Sequence, residues 1–176
     1  MKRPVPYEVV LGLLSSRPAH GYDLIDCFRS RDQLGRMWTL STSQLYAVLK
    51  RLEDEGAIKG KQVKSSDAPD RIVYSVTKKG EKQLQNWLFD PNPSASIHRI
   101  RVLFLSRVYI AQLLGIDAKL IFMYQRSACE AQQLAFLAEK EQADTVFEKL
   151  TIDFVLGQLD SALNWLNRCE SELPGI

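Results

Sequence analysis

Thr42, Ser43, Tyr46, Lys50 and Arg51 recur at intervals that, on a helix, set two small hydroxyls and one aromatic on the first two turns and two cations one turn later. Side chains of these types hydrogen-bond to base edges and to phosphates, which is the chemistry of a helix whose N-terminus enters a DNA major groove. A second set of cations, Lys59, Lys61, Lys64 and Arg71, follows within one short stretch and suits contact with a sugar-phosphate backbone. The rest of the chain offers little reactive chemistry. It has no nucleophile with a base at suitable spacing, no glycine loop to cradle a phosphate and no metal-ligand spacing, and it holds only two histidines. An enzyme is therefore a distant third reading, and neither a cofactor nor a metal is expected. His20 has no partner at catalytic or metal spacing and reads as a turn histidine bonded to nearby backbone. Cys27, Cys129 and Cys169 are odd in number and far apart, so buried free thiols are favoured over disulfides, with redox sensing by Cys27 the minor alternative.

The element that must position the first set spans Leu40 to Ile58. Ser41 followed by Gln44 spells a capping box, and Leu40 and Leu45 stand at the positions of a hydrophobic staple, so the helix start is specified twice. Leu45, Val48, Leu49 and Leu52 then form one apolar stripe, until Gly56 supplies the left-handed residue that ends a helix. The outward face carries Thr42, Ser43, Tyr46, Ala47, Lys50 and Arg51. Alone, this helix would favour an ordinary amphipathic helix with a solvated face. The runs Ile58 to Lys64 and Arg71 to Thr77 change that balance, because they are short and rich in β-branched residues, and they flank a turn-rich loop at 65–70. They predict a basic hairpin in which Ile72, Tyr74 and Val76 face the helices. A capped helix followed by a basic hairpin is the order of a winged helix-turn-helix.

Taken in order, Pro4 and Pro6 open a first helix that buries Val9, Val10, Leu13 and Leu14, and Pro18 stops it. A second helix spans about Gly21 to Arg29 on the stripe Leu24, Ile25 and Phe28. In the polar connector that follows, Trp38 just before the cap is more often a core anchor than a ligand platform, yet it lies where an effector pocket could form. Thr77 caps a fourth helix carrying Leu84, Trp87 and Leu88, and 90–96 reads as a break. Beyond it the pattern is helical. Ile97 to Leu114 is apolar on several sides, with Arg99, Arg101 and Arg107 interleaved. Asp117 caps a helix to about Gln142 with a stripe through Leu120, Tyr124, Ala128, Ala131, Leu134 and Ala138. The last helix, from about Asp144 to Glu172, carries a seam of Ile152, Val155, Leu159, Ala162, Leu166 and Cys169 at alternating three- and four-residue steps. That spacing favours a helix partner, and packing within a three-helix unit is the plainer alternative.

The chain also resembles the PadR-like transcriptional regulators. The resemblance is carried by Leu11, Gly12 and Leu13, by His20, Gly21, Tyr22 and Leu24, by the run from Ser41 to Gly56, and by Tyr74, Val76, Thr77 and Gly80. It covers about half the chain, Tyr7 to roughly Trp87. Ala47 departs from it, since the family commonly has proline there; alanine keeps the backbone donor and steadies the helix. The resemblance implies a second helix that buttresses the recognition helix, and a helical dimerisation domain behind the winged one. It also implies a regulator that is most often a repressor, released by a small molecule or another signal.

The expected architecture is mainly α with a small β-hairpin wing: a winged helix-turn-helix domain at 1–90 and an α-helical dimerisation domain at 97–176. Residues 1–90 hold 15 Lys and Arg against 11 Asp and Glu, and residues 91–176 hold 8 against 10, so the first part is positive and the second negative. The basicity is modest, and affinity must come from placing a few cations well and doubling them in a dimer. The expected function is a homodimeric transcriptional regulator on a palindromic operator in double-stranded DNA, through Thr42, Ser43, Tyr46, Lys50, Arg51, Lys59, Lys61, Lys64 and Arg71. Dimerisation is assigned to Val155, Leu159, Ala162 and Leu166, and contact with a small-molecule effector to Trp38. The alternative is a protein-interaction module on a winged-helix scaffold that no longer binds DNA. No apolar run approaches the roughly 20 residues of a membrane span and no signal-peptide core follows Met1, so no membrane partner and a cytoplasmic location are expected.

Overall fold

In the computed structural model, which describes residues 5–63 and 71–172, the chain begins with α1 (Tyr7–Ser16), β1 (Ala19–His20), α2 (Gly21–Arg29) and α3 (Thr42–Asp54). The hairpin strands β2 (Ile58–Val63) and β3 (Arg71–Val76) and the helix α4 (Lys78–Leu88) follow. Next, α5 (Ile97–Arg99) passes through a π turn at Ile100–Phe104 into α6 (Leu105–Leu114), and α7 (Lys119–Gln142) and α8 (Val146–Glu172) complete the order. Among the described residues no helix is long and apolar enough to cross a membrane.

Helix α1 is the hub. Every residue from Val9 to Leu14 is buried, because α1 packs against α3, α4, α6 and β3 together. Gly12 permits the α6 contact: a Cβ there would come within 2.5 Å of Ile110 Cγ2, and Ile110 is itself fully buried. The sheet has three antiparallel strands in the order β1-β3-β2. Strand β1 was not expected. His20, read from sequence as a turn residue, pairs with Val73 across the ladder, while its Nδ1 lies 3.1 Å from the Ile72 carbonyl and its N–H donates to Asp23 Oδ2 at the start of α2. Two residues suffice for a strand here because β3 supplies the complementary edge.

The segment from Ile97 to Leu114 departs from a uniform α-helix at its π turn, where Ser106 Oγ donates to the Val102 carbonyl at 2.6 Å. Phe104 leaves this turn to meet Phe122 and Trp165 edge-on, at centroid distances of 5.1 and 5.9 Å, and so joins the turn to α7 and α8. Helices α7 and α8 pack antiparallel, with Gln133 bonded to Asp160 and Lys140 paired to Asp153 across them. Asp117 Oδ1 accepts from Lys119 N–H at 2.8 Å and anchors the start of α7.

The α7 stripe read from sequence lies on the wrong side of the helix. Its buried line is Ile121, Phe122, Gln125 and Cys129, with Phe136 also packed on the core, whereas Leu120 and Leu134 are exposed, Leu134 by 68%. Gln125 concealed the line. It is buried because its amide donates to the Ser94 carbonyl at 3.1 Å and so ties the 90–96 segment to α7. On α8, Leu159, Ala162 and Leu166 are buried within the single chain and Val155 is half-buried. Most of the seam that the spacing offers to a partner helix is thus occupied by the chain's own helices.

Candidate nucleic-acid interface

Helix α3 begins as its sequence specifies. Ser41 Oγ accepts from Gln44 N–H at 3.2 Å while Gln44 Oε1 accepts from Ser41 N–H at 2.9 Å. Such a cap contributes about 1 kcal/mol and sets the direction in which the first turn points. The stripe Leu45, Val48, Leu49 and Leu52 is buried, and Gly56 ends the helix at φ +70°. The negative end of α3 is held by α4: Lys79 Nζ donates to the Glu55 carbonyl and Thr77 Oγ1 to the Gly56 carbonyl, at 2.5 and 2.8 Å.

On the outward face, Ser43, Tyr46, Ala47 and Lys50 are exposed and Thr42 is half-buried. Arg29, at the end of α2, donates through Nη2 to Thr42 Oγ1 at 3.1 Å, which fixes a hydroxyl on the first turn and ties α2 to α3. No local pattern announces this contact, because it joins residues on two separate elements. Tyr46 is 39% exposed, and its phenol lies over the start of α2, where a Cβ on Gly21 would meet the Tyr46 hydroxyl at 2.7 Å. Arg51 turns to the edge of the face. It pairs with Glu55 at 2.9 Å, and its guanidinium carbon stands 4.9 Å from the centre of the Tyr7 ring.

The hairpin register pairs Lys59 with Ser75, Lys61 with Val73, and Val63 with Arg71. Directly paired residues share a face, so Lys59, Lys61 and Arg71 line one side of the hairpin, and all three are exposed. The other side carries Ile58, Gly60, Tyr74 and Val76, and packs toward the helices: Glu53 Oε1 of α3 accepts from Gly60 N–H at 2.8 Å. Ile72 belongs to this second side but is 48% exposed, since the helices do not reach that far along the strand. Lys64 lies outside the described residues. The arrangement is a capped helix with a polar outer face, joined through Glu53 to a hairpin whose three described cations share one surface.

Trp38 is placed in the core. It meets Phe28 edge-on at 6.3 Å and donates Nε1–H to Ser106 Oγ at 2.8 Å, so its one polar atom is satisfied and its ring has no open face for an effector. Among the described residues no group of three or more His, Cys, Asp or Glu side chains is placed to hold a metal ion. Cys27 and Cys129 are free, and burial raises both thiols above their ordinary pKa, which disfavours the reactive thiolate.

Residues 10–86 match the model of the transcriptional regulator PadR-like family. The negative transcriptional regulator PadR of Bacillus subtilis is 33% identical over 84 residues, which are 48% of this chain and 45% of that protein. A probable transcriptional regulator of Mycobacterium tuberculosis is 25% identical over 87 residues, 49% of this chain and 44% of that one. The matched stretch is thus a little under half of each of these relatives. A crystal structure of Bacillus subtilis PadR in complex with operator DNA is similar at 23% identity and a TM-score of 0.49, covering 96% of this chain and 99% of that one. The residues matched by the family model run from within α1 into α4 and so include α3 and the hairpin. Over this segment, which is less than half of the chain, the protein is similar to the PadR-like transcriptional regulators.

Proposed function

We propose that the chain is a sequence-specific DNA-binding transcriptional regulator, a repressor that acts as a homodimer on a palindromic operator and is relieved by a small molecule. The observation that carries this reading is the joint exposure of Ser43, Tyr46 and Lys50 on capped α3 and of Lys59, Lys61 and Arg71 on one side of the hairpin. Ser43 and Tyr46 read base edges or the flanking phosphates, and the lysines and arginine neutralise backbone charge. Thr42, held by Arg29, presents its hydroxyl at the groove edge, and Arg51 reaches a phosphate only by leaving Glu55. Lys64 belongs with the hairpin cations. The name of the Bacillus subtilis relative, a negative regulator, supports repression over activation.

The division into a winged helix-turn-helix at 1–90 and a helical dimerisation part at 97–176 belongs to the same proposal. Because Leu159, Ala162 and Leu166 are buried within one chain, the dimer contact is assigned instead to the exposed apolar residues Phe147, Leu150 and Phe154 of α8 and Leu134 and Leu137 of α7. An apolar groove of about 580 Å³, lined by Ile97, Leu105, Phe154 and Trp165 among others, is where an effector would enter. Trp38 then takes part through Ser106, which follows Leu105 in the groove wall, and not by direct contact. A cytoplasmic location fits this role.

Selection of bound sequences from random duplex DNA, followed by footprinting, tests the proposal. The expected result is one enriched palindrome protected in two half-sites a whole number of helical turns apart. Binding that is equally tight to all duplexes, or absent, would overturn it and favour a scaffold for protein contacts.

A further inference from the structure

On the flank away from the effector groove, α1, the last turn of α3, α4 and Asp90 enclose a second cavity, of about 480 Å³. Its walls include Tyr7, Glu8, Glu55, Gln83, Trp87 and Asp90. Charge is unevenly matched around it. Glu55 is paired with Arg51 at 2.9 Å. Asp90 is paired with Arg107 at 3.1 Å, and that guanidinium also sits 5.5 Å from the centre of the Trp87 ring. Glu8 is the remaining carboxylate, and among the described residues no cation stands at ion-pair distance from it. Arg107 of α6 draws on it only from further off, Glu55 repels it, and α4 presents no charged group to the cavity, only Gln83, Asn86 and Trp87. Burial, the largest influence, pushes the Glu8 carboxyl above its usual range. Among the described residues, Gln83 Oε1 is likewise a buried acceptor without a hydrogen-bond partner.

We propose that this cavity is a binding site for a small organic cation with a planar body, a protonated amine or amidine, whose N–H donors meet Glu8 and Gln83 and whose ring lies between Tyr7 and Trp87. The chemistry follows from what the walls lack. Gln83 Oε1 lacks a hydrogen-bond partner and the Glu8 carboxylate, which accepts from its own backbone N–H, lacks a counter-ion, so the complementary ligand brings donors and positive charge. Two aromatic walls favour a flat body, and their affinity for cations is already visible in the guanidinium held against each ring. An anion of the same shape would meet the Glu8 carboxylate, while the cations nearby, Arg51 and Arg107, are already engaged by Glu55 and Asp90.

Benzamidine and benzoate separate charge from shape, being flat rings of similar size and opposite sign. Titration calorimetry on the full chain should show saturable benzamidine binding at pH 8 and none for benzoate. Benzamidine affinity should fall as the pH is lowered through the titration of Glu8, because the protonated carboxyl no longer attracts a cation. Glu8→Gln, nearly isosteric, should weaken benzamidine at least tenfold, whereas Trp165→Ala in the wall of the other groove should leave it unchanged. Absence of saturable benzamidine binding, equal binding of benzoate, or an unchanged affinity in Glu8→Gln would each overturn the assignment. The pH series on the unaltered protein decides the matter even if the variant misfolds. Neither experiment involves DNA, so the result stands apart from operator binding.

Discussion

Tyr46 shows how one residue can be half spoken for and still functional. Its ring leans on Gly21, yet it is off the Leu45 and Leu49 stripe and 39% exposed. Tyr46→Ala should therefore lower operator affinity by about tenfold or more, a loss of roughly 1–3 kcal/mol if the tyrosine reads a base. The melting temperature should change little; a collapse of the fold would mean that the Gly21 contact, not DNA, is what the tyrosine serves. At Glu8 the issue is pH. Its folded-state pKa is raised, so the folded chain binds the proton more tightly than the unfolded chain does. The sign follows directly: this group's stabilising contribution is present at acid pH and is lost as pH rises through the folded pKa. Glu8→Gln, which cannot ionise, should then melt higher than the parent at pH 8 and approach it at pH 4, as thermal unfolding at both pH values would show.

Single contacts become consequential at the scale of elements. Gly12 is where α1 and α6 meet, and an added methyl would press into Ile110. Gly12→Ala should destabilise the protein by about 1–3 kcal/mol, the usual cost of overpacking a close-packed core, and denaturant unfolding checks it. In the hairpin, the register that aligns Lys59 and Lys61 makes them act as a pair. Replacing both by Ala in a dimer removes about four phosphate contacts and should flatten the slope of log affinity against log salt by about 3 to 4. All sequences should weaken alike, because phosphates carry no sequence. An unchanged slope in filter or anisotropy titrations would take the hairpin out of the interface. The cap at Thr145 shows the same logic elsewhere: Thr145 and Glu148 exchange hydrogen bonds of 3.0 and 3.1 Å at the start of α8, which holds the Glu148 carboxyl below its usual range.

For the whole molecule the decisive question is which apolar residues the chain uses for itself and which it leaves for a partner. Leu159 and Leu166 are consumed internally, whereas Phe147, Leu150 and Phe154 stand 75, 61 and 68% exposed on α8. Leu150→Lys with Phe154→Lys should give a folded monomer with greatly weakened operator binding, while Leu159→Lys should unfold the helical part, since a lone buried charge is strongly destabilising. Sedimentation paired with DNA titration distinguishes these outcomes. A doubly substituted chain that stays dimeric would move the contact elsewhere.

The sequence by itself determined the elements whose cause is local. The Ser41 and Gln44 cap, the Leu45 to Leu52 stripe, the Gly56 stop, the extent of α2 and the hairpin strands all follow from interactions within a few residues, and these are the parts that position α3 and the hairpin cations. Tertiary structure decided what depends on partners far along the chain. The two-residue strand β1 exists only because β3 lies beside it. The buried line of α7 passes through Gln125, a polar residue that any hydropathy pattern places outside, and it is buried because Ser94 supplies a carbonyl. Arg107, interleaved among apolar residues on its helix, is 5% exposed because Asp90 and Trp87 receive it. The α8 seam gave the correct period but not its partner, since spacing fixes which residues share a face and says nothing of whether that face meets the chain's own helix or another copy.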